Sequence, residues 1–201
     1  MFGVGRQLVR SYATRPLPPV LNQVLDVGKA GELDKESLQS LWRVHHGEIE
    51  GALCAVVDAE KGEVLRARVE ESPRMVVPIP KEKGFVTVLS EGRVDDSVPG
   101  VACVDMAYTF LHTFQEYGHA ASPVVVTRYY YDMADSHNAV LMAGSRDQAA
   151  VSLEEGQYLG NQTSILYLND DMYSKFTHVF NHQPNSFDFD AILDSLEITP
   201  A

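Results

Sequence analysis

Histidine is the residue type in this chain best suited to metal chemistry, and seven histidines occur among its 201 residues. His178 and His182 are four apart, a spacing at which two imidazoles on one helix can share an ion. His45 and His46 are adjacent, so a helix would direct them to different sides. Pro184 closely follows the first pair, and no acidic third ligand stands at a recognised spacing. The sequence therefore predicts polar or half-buried histidines and no metal site.

Motifs for nucleotide chemistry and nucleophilic catalysis do not occur in the sequence. It has neither GxxxxGK[ST] nor GxGxxG, the loops that cradle phosphates, and no GxSxG nucleophile elbow. Its 28 Asp and Glu residues are expected to be solvated surface groups. We therefore predict that the protein is not an enzyme and binds no cofactor.

The two cysteines, Cys54 and Cys103, lie in apolar runs, and neither belongs to a CxxC motif. Free cysteines in such surroundings are usually buried. The sequence predicts two reduced thiols in strands, with a two-cysteine metal site or a disulfide as the alternatives.

Three consecutive tyrosines, Tyr129 to Tyr131, form a dense aromatic cluster. On a strand, Tyr129 and Tyr131 would share one face while Tyr130 takes the other. Two interpretations follow: cross-strand packing within a sheet, or an aromatic contact surface for a protein partner.

Hydrophobic periodicity and helix breakers predict the elements that would position these residues. Helices are expected over residues 32–46, 64–69, 109–117, 153–168, 170–180 and 190–196, and strands over 52–58, 74–79, 85–89, 101–104, 124–131 and 139–143. Ser152 and Glu155 form a capping box. Residues 16–22 read as an extended proline-rich segment and 91–100 as a polar loop. The order lacks βαβ alternation, so we predict an α+β fold: a single domain with a mostly antiparallel or mixed sheet covered by helices.

The N-terminus has the character of a mitochondrial transit peptide. The first 25 residues contain Arg6, Arg10 and Arg15 but no acid, and apolar side chains occupy the opposite side of a predicted helix. Arg10 is placed as in a matrix-processing site, where an Arg stands three residues before the cut. A cut after Tyr12 would remove residues 1–12. The alternative is an ordinary N-terminal helix of the folded domain.

We predict a linker over residues 13–30 and one domain over residues 31–198.

Net charge and hydropathy exclude further classes of protein. The formal net charge is −12, and removing Arg6 and Arg10 would make it −14. Without cation clusters, nucleic-acid or anionic-membrane binding is not expected. No window approaches the roughly 18 apolar residues of a bilayer span, so we expect no membrane insertion and a soluble matrix protein.

Six sequence blocks occur in an order that resembles one known family. They are Leu41-Trp42 with His46, and residues 76–85, 108–123, 140–144, 152–162 and 180–187. Residues 108–123, for example, follow aromatic-Thr-x-Leu-x-x-aromatic-Gln-x-x-Gly-x-x-Ala-x-Pro. Together the blocks resemble the mitochondrial F1-ATPase assembly factor 1 family, the chaperones of the F1 β subunit, over about residues 20–197. Ala143, Gly156 and the loop after Leu89 depart from the family pattern.

The resemblance implies a chaperone that binds the unassembled F1 β subunit, prevents its aggregation and hands it to the α subunit. An orphan subunit exposes the apolar surface meant for its neighbour, and such a surface drives aggregation. The implied partners are the F1 β subunit and the mitochondrial import machinery. Two alternatives stay open: a matrix enzyme with an unrecognised acid/base site, and a binding module for another matrix protein.

Contact residues are expected among the apolar and amide side chains of the family-like blocks. These are Leu111, Phe114, Tyr158, Asn161, Gln162, Asn181, Pro184, Asn185 and Phe187. Each also has a structural interpretation, since Asn and Pro make turns and the apolar members can belong to a core.

Overall fold

The computed structural model describes residues 16–98 and 101–198. Its strands are β1 (Ala52–Val57), β2 (Arg74–Pro80), β3 (Phe85–Val98), β4 (Val101–Phe110), β5 (Val125–Tyr130) and β6 (Val140–Arg146). Its first helices are α1 (Leu21–Val24), α2 (Val27–Ala30), α3 (Lys35–Gly47) and α4 (Ala59–Glu71). The later helices are α5 (Leu111–Tyr117), α6 (Ala134–His137), α7 (Leu153–Leu168), α8 (Asp170–Met172), α9 (His178–His182) and α10 (Phe189–Ser195). A π-helical turn, Tyr173–Thr177, joins α8 to α9, and a 3-10 turn covers Pro184–Ser186.

The six strands form one sheet in the order β1-β6-β5-β4-β3-β2, and every neighbouring pair is antiparallel. The predicted α+β fold with an antiparallel sheet is confirmed. Although β1 and β2 are consecutive strands, they lie at opposite edges. Five strand spacings place them roughly 24 Å apart. Helix α4, with 13 residues, is roughly 20 Å long and spans most of this distance.

Helices α4 and α7 cover one face of the sheet and enclose the larger core with residues such as Leu65, Tyr108 and Leu166. The predicted capping box at the start of α7 is confirmed, because Ser152 and Glu155 satisfy each other's backbone amides. Gly62 lets α4 approach closely: a Cβ there would lie 2.5 Å from Val140 Cγ2.

Helices α1 to α3 pack on the opposite face, mainly over β1, β6 and β5. Trp42 is buried and donates its indole N–H to the carbonyl of Met142 at 2.9 Å. His46 in turn donates from Nδ1 to the carbonyl of Trp42 at 3.0 Å, and burial lowers the pKa of its imidazole. Leu21 and Ala30 are also buried. The described part of the segment predicted as a linker is therefore packed against the sheet.

The tyrosine cluster belongs to the core. Tyr129, Tyr130 and Tyr131 all lie in the buried class, so the packing interpretation is confirmed and the contact-surface interpretation is wrong. Their hydroxyls still find partners: Tyr130 donates to the carbonyl of Pro19 at 2.7 Å, and Tyr131 to that of Gly62 at 2.6 Å. Both hydrogen bonds tie an outer segment to the central strands.

The polar loop predicted over 91–100 is wrong for its described part, residues 91–98, which extend β3. The polar pattern misled the prediction because the charges pair across neighbouring strands. Glu91 is buried and accepts from Nε of Arg74, its register partner on β2, at 3.1 Å. Residues 101–104, predicted as a short strand, likewise continue to Phe110 as β4.

Asp105 is the centre of this charged network and is fully buried. It accepts from Nε and Nη2 of Arg128 at 2.6 and 2.8 Å, and from the same atoms of Arg93 at 3.1 and 3.0 Å. The hydrogen bonds to Asp105 raise the pKa of Arg128 although its burial acts in the opposite direction. The carboxylate therefore fixes β3, β4 and β5 in register from one face.

Two sequence predictions concern the membrane and the terminus. No helix within the two described ranges has the length and apolar character to cross a bilayer. The predicted transit peptide, residues 1–12, lies outside the described residues.

Asp105→Ala is expected to lower the free energy of unfolding by about 3 kcal/mol or more. The substitution removes a buried carboxylate from two guanidinium groups, and breaking a buried pair leaves charge without compensation. Urea denaturation followed by circular dichroism measures the change. Asp96→Ala is the matched control, because Asp96 is exposed and pairs with Arg66 at the surface, where such pairs contribute about 1 kcal/mol or less. Equal losses for both variants would contradict the assignment.

Candidate partner-binding surface

Two surface grooves contain four of the nine residues predicted to contact a partner. The larger, here called the C-terminal groove, has a volume of about 780 Å³. Val76 on β2 and Leu89 on β3 contribute buried apolar side chains to it. Leu111 and Phe114 of α5 line it, and so do the end of α4 and residues 180–182 of α9. The sheet edge at β2 thus sits between two helical segments.

None of the seven residues of helix α5 is buried. A helix normally directs its apolar stripe into the core, yet Leu111 and Phe114 are only half-buried and face the groove. Tyr117 at the end of the helix is 58% exposed. Gly118, with φ of +56°, ends the helix in a conformation that favours glycine. Helix α5 therefore presents apolar surface that the described core leaves uncovered.

The C-terminal stretch forms the opposite side of this groove. Phe180 lines the groove, and its ring packs edge-to-face on Phe187 at a centroid distance of 4.9 Å. Pro184 starts the 3-10 turn between them, and Pro184 and Asn185 are exposed. Leu111, Phe114 and Asn181 thus meet in one groove. Phe187 does not line the groove but supports Phe180, which does.

Asn181 uses its amide within the fold. Its Oδ1 accepts from the backbone N–H of Arg74 at 3.1 Å, and its Nδ2 donates to the carbonyl of Arg74 at 2.6 Å. A third hydrogen bond joins Nδ2 to the carbonyl of Thr177 at 2.8 Å. The side chain therefore satisfies the backbone N–H and carbonyl of the first residue of edge strand β2. Its role in the described structure is to position α9 against that strand.

The smaller groove, here called the α7 groove, has a volume of about 440 Å³ and lies between α7, strand β1 and the loop before β1. Asn161 is exposed on its α7 side, and Leu153 is 42% exposed at its rim. A Cβ at Gly156 would lie 3.1 Å from Leu53 Cδ2, so glycine permits the close packing of α7 on β1. Cys54 lines this groove from β1.

Tyr158 and Gln162 point towards the interior. Tyr158 is half-buried against the larger core, and burial raises the pKa of its hydroxyl. Gln162 is only 7% exposed. Within the described chain, Tyr158 Oη and Gln162 Oε1 are buried polar atoms that lack a hydrogen-bond partner. The predicted contact residues of α7 therefore divide between the groove, for Asn161, and the packed side of the helix.

Sequence reasoning missed three apolar residues of the C-terminal groove: Val76, Leu89 and Phe180. Phe180 begins the family-like block 180–187, and its aromatic type could have marked it. Val76 and Leu89 lie on strands with apolar residues on both faces. A continuous apolar run of this kind does not show which face belongs to the core and which forms the floor of a groove.

Asn181→Ala is expected to lower the free energy of unfolding by about 1–2 kcal/mol, because two backbone groups of Arg74 lose their partner. Asn185→Ala, at an exposed position on the neighbouring turn, serves as the control and should change stability by less than about 0.5 kcal/mol. Chemical denaturation measures both. A neutral Asn181→Ala variant would refute the positioning role.

Cys54 is expected to react with iodoacetamide well before Cys103. Burial raises the pKa of both thiols, to about 12 for Cys103, which leaves only about one thiolate in ten thousand at about pH 8. Cys54 is half-buried in the α7 groove, whereas Cys103 is buried. Peptide mass spectrometry over time measures both rates.

The control for this labelling is Cys54→Ser, which should remain almost unmodified until urea unfolds it. Faster modification of Cys103 than of Cys54 in the native protein would contradict the described burial.

Comparison with known proteins places the chain among relatives of named function. Residues 9–193 match the family described as ATP11 protein. The human and mouse proteins named ATP synthase mitochondrial F1 complex assembly factor 1 are each 21% identical to it over 196 residues. The aligned region covers 96% of this chain but 56% of each relative, so the chain spans about half the length of the curated relatives it matches. Since the family match extends over most of its length, the chain belongs to the ATP11 protein family.

Proposed function

We propose that this protein assists assembly of the mitochondrial F1 part of ATP synthase by binding the unassembled β subunit. It keeps that subunit from aggregating and yields it to the α subunit. Membership in the ATP11 protein family and the names of the human and mouse relatives support the role in F1 assembly. The choice of β as partner rests on the sequence blocks described first.

The observation that carries the proposal is the apolar surface of α5 beside the C-terminal groove. Leu111 and Phe114 face the groove from a helix without a buried residue, and Phe180 faces it from the other side. Aromatic and apolar anchors in a concave setting are the usual energetic centre of an interface. Such a surface suits a partner that exposes apolar area only while it lacks its neighbour.

Release follows from competition. The sequence has no phosphate-cradling loop, so we assign the release step to mass action. The α subunit binds the same face of β more tightly and shifts the equilibrium towards assembled F1. This scheme requires only moderate affinity between this protein and the β subunit.

The proposed location is the mitochondrial matrix, where F1 is assembled. Residues 1–12 would serve as a transit peptide recognised by the import machinery and removed after Tyr12. The remaining chain, with a formal charge of −14, disfavours contact with nucleic acid or anionic membranes.

The double variant Leu111→Ala, Phe114→Ala is expected to lose suppression of β aggregation and to bind isolated β at least about ten-fold more weakly. Each truncated anchor in an interface costs about 1–3 kcal/mol. Light scattering of isolated β and binding by isothermal titration calorimetry measure the two effects, without added ATP. Val44→Ala is the control, because Val44 is 62% exposed on α3 and lines neither groove.

Three outcomes would overturn the proposal. The wild-type protein could leave β aggregation unchanged, it could co-purify with finished F1, or it could recover a different matrix protein and no F1 subunit from mitochondria. A variant that unfolds is recognised by its circular dichroism. In that case Phe114→Ala alone, at a half-buried position, repeats the binding test.

A further inference from the structure

The fold brings Glu71 next to a pair of histidines that lies more than a hundred residues later in the chain. Glu71 ends α4, whereas His178 and His182 lie four residues apart on α9. One ligand atom from each of the three residues lies within 4.8 Å of the others. The expectation of no metal site rested on the lack of an acidic third ligand near the histidines. Glu71, more than a hundred positions earlier in the chain, supplies that carboxylate.

The π-helical turn aligns the group. Its backbone hydrogen bond runs from the N–H of His178 to the carbonyl of Tyr173 and therefore spans five residues instead of four. Tyr173 and His178 consequently lie on one side of the helix, with ring centroids 6.2 Å apart. The ordinary α-helical spacing then adds His182, whose ring centroid is 4.4 Å from that of His178. All three side chains face the end of α4.

Neighbouring hydroxyls hold the carboxylate and one imidazole in place. Tyr173 donates to Oε2 of Glu71 at 2.7 Å, while Oε1 lies 3.8 Å from Nε2 of His178. Ser72 contacts Nε2 of His182 at 3.1 Å and Oη of Tyr173 at 3.0 Å. If His182 binds an ion through Nε2, Ser72 retains Tyr173 as a partner. Outer hydrogen bonds of this kind orient metal ligands.

We propose that Glu71, His178 and His182 form a divalent-cation site, for which zinc is the best match. Two imidazoles and one carboxylate are a common set of three protein ligands for zinc, with a further position open to water or another ligand. An ion with nitrogen and oxygen ligands at about 2.0–2.1 Å would draw the ligand atoms to roughly 3.3 Å separation. Side-chain rotation can provide this change, because Glu71 and His182 are exposed and His178 is only half-buried.

Glu71, His178 and His182 each offer a divalent cation one ligand atom. A divalent ion uses both neutral rings and the carboxylate at once. Glu71 and His182 also line the C-terminal groove. The bound ion would thus fasten α9 to α4 and fix one wall of that groove, whichever protein the groove receives.

Titration of the full chain, free of added histidine tags, with Co²⁺ alone tests the site. We expect visible absorption typical of four- or five-coordinate Co²⁺ that saturates at one ion per chain. His178→Ala, His182→Ala and Glu71→Gln should each weaken binding at least about ten-fold. His45→Ala should leave binding unchanged, because His45 is an exposed histidine on α3 and belongs to no ligand cluster among the described residues.

A second measurement keeps the proposal open to refutation if a variant unfolds. Anomalous diffraction from wild-type crystals soaked in Co²⁺ should give a peak between the three side chains. Failure to saturate at one ion per chain, a peak elsewhere, or full binding by the folded His178→Ala, His182→Ala double variant would overturn it. None of these outcomes bears on whether the F1 β subunit is the partner.

Discussion

An antiparallel sheet that does not close into a barrel leaves two edge strands, and their outward backbone groups must be protected from other strands. In this protein the edges are β1 and β2, which are consecutive in the chain but lie on opposite sides of the sheet. Helix α4 has to cross the sheet between them. Asn181 covers the start of β2 by both donating to and accepting from the backbone of Arg74, and α7 packs on the sheet face over Leu53 of β1. The C-terminal groove lies where the segment that covers the start of β2 meets the sheet, so protection of that edge also shapes a candidate binding surface.

Sequence patterns predicted most elements because local signals and packing agree there. The capping box of α7, the apolar run of β1 and the strong strand β5 each combine propensity with burial. The prediction failed at β3, where Glu91, Arg93 and Asp95 gave the pattern of a polar loop. These charges lie on a sheet face and are paired with Arg74, Asp105 and Arg128. Since the partners come from other strands, a local window contains no signal for them.

The candidate site was predictable only in part, for the same reason. Leu111, Phe114 and Asn181 were identified through the family-like blocks and do meet in one groove. The blocks did not distinguish an apolar anchor such as Phe114 from a structural amide such as Asn181, because both occur in family-like blocks and differ only in what they contact. Tyr158 and Gln162 show the opposite failure: their residue types suit an interface, but α7 turns them inward. Whether a residue of α7 faces the core or the solvent depends on how the helix is rotated against the elements it packs on, which is set by the tertiary structure.

The chain after α7 contributes both to the stability of the sheet edge and to the C-terminal groove. The same segment closes the β2 edge through Asn181, supplies Phe180 to the groove, and carries His178 and His182 towards Glu71. A π-helical turn is rare because its hydrogen bonds are less favourable than those of an α-helix, and it tends to persist where function requires the altered alignment. Without the extra residue in that turn, Tyr173 and His178 would not share a side of the helix. The turn is therefore best understood as the device that sets the orientation of α9, on which the edge contact, the groove wall and the cluster of ligands all depend.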